Sequence, residues 1–395
     1  MSKTYKIKCF DKISACGLKQ LDDAYTFTEN FSEADAALVR SSSLHETEAE
    51  NSLLAVARAG AGVNNIPLEK FSDRGIVVFN TPGANANGVK ELVIAALLLS
   101  SRDIVAGIHW TETLEGDIPK AVEKGKKAFA GKEIAGKKLG VIGLGAIGVL
   151  VANSAISLGM TVYGYDVNLS IEHALALQNS VITVKSLDEI FSECDYITVH
   201  VPLLESTKYL FNAETFAKMK DGVNILNFSR DLLVNDEDMR GALASGKVHR
   251  YVTDFPNERI HGVPGVIAVP HLGASTSESE DNCAVMAVKE LKEYLETGSI
   301  RNSVNFPTLD AGRLTGGYRL AVLHKNVPNM IGQLAAVLGK NQINIVNMAN
   351  RSKGDRAYTV VDTEADPSSV VSSLSKIENV YKVRAVSYTH LTLPT

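Results

Sequence analysis

Little in this chain would tie it to a membrane, a metal ion or an oxidising compartment. Its four cysteines, Cys9, Cys16, Cys194 and Cys283, are scattered through 395 residues without metal-ligand spacing. That excludes a disulfide scaffold, leaves no metal to expect, and points to reduced thiols in a cytoplasmic protein. No apolar stretch approaches membrane-spanning length; the richest, residues 92–99, is too short. The start, Met-Ser-Lys-Thr-Tyr-Lys, lacks a signal-peptide core and opens directly into a strand-like run. Positive charge is not in excess either. A net charge of −5 gives no electrostatic reason to expect nucleic acid or a membrane surface as partner. Hydrophobic content of 45% and charged content of 22% are globular values, and 395 residues are too many for one ordinary domain. Two or three domains are expected.

What is there begins in the middle of the chain. The apolar run Leu139-Gly-Val-Ile142 ends in Gly143-x-Gly145-x-x-Gly148, and a helical apolar pattern follows. A second run, Thr161-Val-Tyr-Gly-Tyr165, ends in Asp166. Strand, glycine turn, helix, strand and carboxylate stand in the order a dinucleotide-binding βαβ unit requires. Gly143 permits the tight turn, Gly145 lets the backbone approach a pyrophosphate, and Gly148 lets the helix lie close to the strand. The helix start, with Ala146 and Ile147, presents free N–H groups and a positive dipole end to the phosphates. Asp166 is placed to accept from a ribose diol and to repel a 2′-phosphate. Val167 and Asn168 follow it, with no arginine, so NAD is expected over NADP. The three glycines alone are also compatible with a plain βα turn or a methyltransferase loop, so the rest of the chain must decide.

Before this unit, strands are expected at 36–39, at 53–56 leading into Arg58, and at 76–79. Polar loops at 40–43, 58–65 and 80–87 stand at their ends, where open α/β sheets bind ligands, though Gly, Asn and Pro also make ordinary turns. Residues 89–99 read as a buried helix, and 104–127 continue helically, with Lys124-Gly-Lys-Lys127 as a basic loop. After Asp166, strands are expected at 182–184, 196–201, 223–227, 249–253 and 266–269, with helices at 186–191, 213–220 and 235–245. A long helix over 277–297 is expected to return to the first domain. Residues 301–317 lose the pattern and carry the Gly and Pro of a linker. A βαββαβ pattern follows, with strands at 318–324, 343–349, 357–362 and 380–386 and helices at 330–340 and 367–377. The predicted class is therefore α/β, with two doubly wound parallel-sheet domains and a small βαββαβ domain. The expected boundaries are 1–98 with 277–300, then 99–276, a linker at 301–317, and 318–387. Residues 388–395 match no element and read as a cloning remnant.

Arg230, Glu258 and His271 each stand just after a predicted strand of the second domain. Oxidising a 2-hydroxy acid needs a cation for the carboxylate and a base for the hydroxyl proton as hydride leaves. Arginine suits the first task, being planar, always charged and bidentate. Histidine suits the second, because its pKa lies near neutrality and a carboxylate can orient it. Taken singly, Arg230 fits a surface ion pair as well, Glu258 a solvated loop acid, and His271 a turn histidine.

Segments that span most of residues 36–300 decide between these. Leu139-Gly-Val-Ile-Gly-Leu-Gly-Ala-Ile-Gly148, His200-Val-Pro-Leu203, Asn227-Phe-Ser-Arg230 and Pro270-His-Leu-Gly-Ala-Ser-Thr276 resemble the D-isomer-specific 2-hydroxyacid dehydrogenase family. The resemblance implies that Arg230 binds the substrate carboxylate, Glu258 is the partner acid, and His271 is the acid/base. Where that family has glycine after the arginine and proline after the acid, this chain has Asp231 and Arg259. His200 and Pro202 would line the adenine side, and Phe228, Ser229 and Asp254 the nicotinamide, with Asp254 expected at its carboxamide. Val201, Thr207, Gly273 and Ala274, with Arg230 and His271, would complete the cofactor contacts. Gly60, Ala61, Gly62 and Asn85 would close over the substrate carboxylate from the other domain.

Within the family the chain looks most like the members that oxidise 3-phospho-D-glycerate to 3-phosphohydroxypyruvate, the first step of serine biosynthesis. Arg40-Ser41 matches the arginine that the resemblance assigns to the substrate phosphate, with Lys126 or Lys127 as a second cation. Arg40 could also serve a surface ion pair. The C-terminal unit resembles an ACT regulatory domain, through His324-Lys-Asn326-Val-Pro328 and Ile343-Asn344-Ile345. That likeness implies L-serine as a feedback effector at His324, Asn326 and Asn344, and a homo-oligomer, dimer or tetramer. Asn329 replaces the glycine of the ACT pattern, and asparagine tolerates positive φ. Two alternatives remain at this point. One is a related dehydrogenase acting on glycerate, lactate or 2-hydroxyglutarate; the other is a non-catalytic NADH-sensing protein of the same fold, as among transcriptional corepressors. The latter would not need Arg230, Glu258 and His271 together.

Overall fold

Ala36-Ala-Leu-Val39 has no polar member, and all its side chains are buried, as a strand covered on both faces requires. In the computed structural model, which describes residues 4–314 and 316–387, this run is the third strand of a five-stranded sheet. The strands are β1 (Tyr5–Cys9), β2 (Tyr25–Phe27), β3 (Ala36–Val39), β4 (Ala55–Arg58) and β5 (Val77–Phe79). They are parallel, in the order β2-β1-β3-β4-β5, so the chain reverses its direction of travel between β1 and β3. The helix Ser277–Thr297 lays Ala284, Ala287, Val288, Leu291, Tyr294 and Leu295 into the core beside Ile7, Leu38 and Phe79.

The second sheet is parallel and seven-stranded. It comprises β6 (Lys138–Ile142), β7 (Thr161–Tyr165), β8 (Ile182–Thr183), β9 (Tyr196–Val199), β10 (Val223–Asn227), β11 (Val248–Thr253) and β12 (Val266–Ala268). Their order is β12-β11-β10-β9-β6-β7-β8, with the switch point between β6 and β9. The helix Ala146–Ser157 buries Val149, Val151, Ala152 and Ala155 in one cluster with Val89, Val93, Ala96 and Leu97 of the helix Ala86–Ser101.

That shared cluster moves the domain boundary. The chain divides into Asn85–Ser279 and a unit of Met1–Ala84 with Glu280–Thr395, not at 98 and 276, because Ala86–Ser101 belongs with the second sheet. Other expectations are corrected locally. The stretch 104–127 is not one helix but Ile104–Glu112, Ile118–Gly125 and a 3-10 turn, Lys126–Phe129. Gly116, at φ +74°, breaks it, and the Asp117 side chain caps the second piece, so Lys124 to Lys127 are helical and not a loop. No single described helix is long and apolar enough to cross a membrane.

Residues 301–317 are not a loose linker. Phe306 and Leu309 are buried, and Val304 donates its N–H to Val78 O at 2.9 Å. The Asn305 amide accepts from Val78 N–H and donates to Ile76 O and Ser72 Oγ, each at 2.9 Å. A side chain here does the work of a strand, which an apolar periodicity cannot reveal.

The C-terminal strands, β13 (Tyr318–Lys325), β14 (Ile345–Lys353), β15 (Arg356–Thr363) and β16 (Val380–Ser387), form an antiparallel sheet in the order β14-β15-β13-β16. The helix Met330–Lys340 covers one face through Met330, Leu334 and Leu338. Its cap, Asn329, has φ +62°, so asparagine holds the position where the related pattern has glycine. The second helical stretch shrinks to a 3-10 turn, Pro367–Val370, and one helical turn, Val371–Leu374. Ala321, Leu323, Tyr358 and Val360 on the other face join the core of the first sheet, and Tyr358 Oη donates to Gly298 O at 2.6 Å. This packing puts the small sheet in the same unit as β1–β5. The tail expected at 388–395 lies outside the described residues.

Candidate active site

The expected cofactor residues stand at the carboxyl ends of neighbouring strands. After β6, Gly143 has φ +94°, and a Cβ there would sit 2.5 Å from His200 O. A Cβ on Gly148 would lie 1.8 Å from Gly143 O, whereas one on Gly145 would meet nothing within 4 Å. The open space above Gly145 and the uncapped helix start at Ala146 and Ile147 fit a pyrophosphate. Asp166, beyond β7, accepts from Leu144 N–H at 2.8 Å and Asn168 N–H at 2.7 Å, which fixes its carboxylate beside the glycine turn.

β9 ends at Val199, two residues before the expected strand end, which leaves His200, Val201 and Pro202 in the loop. Burial holds the His200 imidazole down to about 4, so it is neutral; one ring nitrogen meets Thr198 Oγ1 at 3.0 Å, and Nδ1 is buried without a partner among the described residues. Thr207 ties this loop by donating to Pro202 O at 2.7 Å. Ser229 ties it to the end of β10, donating to Val201 O at 2.6 Å beside buried Phe228. Asp254, beyond β11, is buried, and its Oδ1 has no partner among the described residues. An orphaned buried acceptor suits a carboxamide N–H.

The three catalytic candidates are all exposed, and they are not all joined. Arg230 donates from Nη1 to Ser229 O at 2.6 Å, and Asn227 Nδ2 holds the Arg230 carbonyl at 2.8 Å. Asp231 accepts its neighbour Leu232 N–H at 2.8 Å and opens the 3-10 turn Asp231–Leu233. His271 packs edge-on against Phe255, with ring centroids 4.7 Å apart. No hydrogen bond or ion pair joins Glu258 to His271 among the described residues. The charge of His271 acts on Asp254. Burial raises the Asp254 pKa, and the nearby charges of His271 and Arg230 offset only part of that. Gly273 lies close behind, against Val89, with Ala274 half-buried.

In the first unit, the end of β3 carries Arg40 and Ser41. Arg40 Nη2 pairs with Glu280 Oε1 at 2.5 Å, so the guanidinium reaches a carboxylate of the protein itself. Asp11, which the sequence reading passed over, accepts the N–H groups of Arg40, Ser41 and Ser42. Arg58, also passed over, donates to Arg40 O at 3.0 Å and to Gly62 O. A Cβ on Gly60 would sit 2.9 Å from its Nη1, and Ala61 is exposed. An acid two residues past the end of β1 was the available signal for Asp11. In the other unit, Asn85 precedes the helix Ala86–Ser101 without capping it, and Lys126 pairs with Glu123 at 2.5 Å.

The expected effector residues separate. His324 is buried within β13, its ring nitrogens at 2.8 Å from Lys325 O and Thr359 Oγ1, and burial lowers its pKa. It is an interior strand residue, not an exposed loop donor. Asn326 and Asn344 are exposed, and the Asn326 amide donates to Gly354 O at 3.1 Å.

Residues 94–273 match the family described as D-isomer specific 2-hydroxyacid dehydrogenase, NAD binding domain. The chain is 34% identical over 351 residues to D-3-phosphoglycerate dehydrogenase of Haemophilus influenzae, across 86% of this chain and 82% of that one. It is 36% identical over 280 residues to hydroxypyruvate reductase of Thermotoga maritima, across 67% and 85%. The NAD+-bound crystal structure of 3-phosphoglycerate dehydrogenase from Entamoeba histolytica matches at a TM-score of 0.60 and 25% identity, over 78% of this chain and 100% of that one.

Proposed function

The chain belongs to the D-isomer specific 2-hydroxyacid dehydrogenase family and is an NAD-dependent oxidoreductase, and from that premise we propose that it oxidises 3-phospho-D-glycerate to 3-phosphohydroxypyruvate. The observation that carries the phosphorylated substrate is Arg40, a guanidinium at the carboxyl end of β3, next to the switch point of its sheet, engaged among the described residues only through Nη2. The names of relatives such as the Haemophilus influenzae protein support the same substrate.

Bound NAD supplies the hydride acceptor. In this reading Arg230 forks the substrate carboxylate, and His271 takes the hydroxyl proton on a ring nitrogen as the carbon-bound hydrogen leaves as hydride. The negative charge of Asp254 favours the resulting imidazolium. Glu258 keeps the partner-acid role, because catalytic hydrogen bonds often tighten only in the complex with substrate. Gly60, Ala61, Gly62 and Asn85 keep the carboxylate contacts, and Ser41 and Lys126 the phosphate end.

The test is NADH formation with 3-phospho-D-glycerate and with D-glycerate, in the wild type and Arg40→Gln. The expected result is a preference for the phosphorylated acid that falls at least about tenfold in kcat/KM on substitution, the size of one charge-assisted contact. A wild type that prefers D-glycerate overturns the substrate and leaves the family intact. That second reading, an unphosphorylated acid, draws on the ion pair Arg40 already makes and on the Thermotoga maritima relative.

Serine feedback and its place in serine synthesis belong to the same proposal, with the effector contact falling to Asn326 and Asn344. L-serine that changes neither turnover nor melting removes this part. The homo-oligomer also remains part of it, supported by the exposed apolar side chains of Leu98, Ile104, Val105 and Ile108. A monomeric mass in solution would contradict it. The four unpaired cysteines fit a reducing, cytoplasmic setting.

A further inference from the structure

The carboxyl ends of β1 and β3 meet at a switch point, where sheets of this order bind anionic ligands. Here the chain has supplied anions of its own. The Asp11 carboxylate accepts the N–H of Arg40 at 2.6 Å and those of Ser41 and Ser42 at 3.1 Å, and the Ser42 hydroxyl at 2.8 Å. Burial alone would raise its pKa, yet these donors hold it below the ordinary carboxylate value. Successive backbone N–H groups of this kind form an anion-binding nest, and Asp11 fills it. The backbone is therefore spent, and side chains, the Arg40 guanidinium first among them, remain to meet a phosphate.

That guanidinium has a second anion on it. Glu280, in the first turns of the helix Ser277–Thr297, takes Nη2 at 2.5 Å, with both side chains about two-fifths exposed at 38% and 41%. The neighbouring Asp281 is turned away and bonded to Ser14 Oγ. Nε and Nη1 of Arg40 have no protein partner among the described residues.

We propose that Glu280 is a specificity-determining residue: its carboxylate occupies the edge of Arg40 that a substrate phosphate must take. The inference rests on the reading of Arg40 given above. A phosphate monoester carries nearly two negative charges and three acceptor oxygens, so it outcompetes a single half-exposed carboxylate at an arginine fork. Displaced, Glu280 returns to water at little cost, since the pair is half-solvated already. An unphosphorylated hydroxy acid has nothing to put in its place. Glu280 thus weakens the phosphorylated substrate by a fixed factor and sets how far the protein prefers it.

The test compares 3-phospho-D-glycerate with D-glycerate in the wild type, Glu280→Gln, Glu280→Asp and Arg40→Gln. Glu280→Gln should lower KM for the phosphorylated acid roughly two- to fivefold, the reach of a half-exposed ion pair. The ratio of kcat/KM for the two acids should move by the same factor, and Glu280→Asp, which keeps the charge, should lie near the wild type. An equal change for both acids, or none, overturns the proposal. If Arg40→Gln leaves the preference intact, the reading of Arg40 has failed and the proposal falls with it; if only Glu280→Gln is silent, Arg40 stands and Glu280 does not. Should neither acid turn over, the melting shift produced by 3-phospho-D-glycerate must be larger in Glu280→Gln than in the wild type, and an equal shift again overturns the proposal.

Discussion

The two glycines at the start of the helix Ala146–Ser157 carry different burdens. A methyl group on Gly148 would overlap Gly143 O at 1.8 Å, so alanine there must move the strand, the turn or the helix. The same methyl on Gly145 enters open space and leaves the fold alone, but takes the room a pyrophosphate needs. Gly148→Ala should therefore lose about 1–3 kcal/mol of stability, read as a drop of several degrees in melting temperature. Gly145→Ala should melt like the wild type and bind NADH at least about tenfold more weakly by calorimetric titration. Equal behaviour of the two variants would refute this division. The glycine fingerprint and Asp166 were legible in sequence because spacing alone demands them. The engagement of Arg40 with Glu280 was not, since the partners are far apart in the chain and any surface carboxylate would have served.

At the scale of elements, the long helix carries a buried acid that no catalytic step uses. Glu290 accepts from Asn302 Nδ2 at 2.6 Å through Oε1, while Oε2 is buried without a partner among the described residues. Burial raises its pKa to about 8, with the Asn302 contact offsetting part and Glu293 adding to it. The unfolded chain releases this proton near 4.5 and the folded chain only near 8, so folding holds an extra proton in that window. Stability must then fall as pH rises from about 5 to 8 and level off above. Glu290→Gln should remove that loss, a gain on the order of a few kcal/mol at pH 9 that shrinks toward pH 5 in urea titrations. A gain that does not vary with pH would rule the account out. Asn305→Ala, in the same segment, should cost about 1–3 kcal/mol, because it strips a partner from Val78 N–H and Ile76 O. The sequence pattern located most of the strands and the longer helices, because apolar runs are what those elements bury, but passed over β2 and the short helices Leu68–Asp73 and Ile171–Ala176. It misread residues 301–317 because polar side chains hold that segment down, and it split the helix Ala86–Ser101 at 98 because burial does not say which sheet a helix faces.

For the molecule as a whole, the division into two units makes a calorimetric claim. Asn85–Ser279 contains the glycine turn, Asp166, His200 and Asp254, so NADH bears on its stability. The other unit holds the first sheet and the C-terminal sheet, joined by Tyr358 Oη on Gly298 O and by Arg319, which pairs with Asp362 at 2.6 Å and donates to Thr297 O at 2.7 Å. Arg356 adds contacts to Asp73 at 2.7 Å and Glu69 at 3.0 Å. The small sheet should therefore unfold with the first sheet and not by itself. Scanning calorimetry should resolve two transitions. NADH at about 100 times its Kd should stabilise one of them by roughly 2.7 kcal/mol, or several degrees for a unit of this size. Tyr358→Phe, which leaves a buried carbonyl without its donor, should lower the other by about 1–3 kcal/mol and leave the NADH-sensitive transition where it was. A third transition that alone responds to Tyr358→Phe would mean the C-terminal sheet folds independently, and a single transition moved by both would mean the two units melt as one.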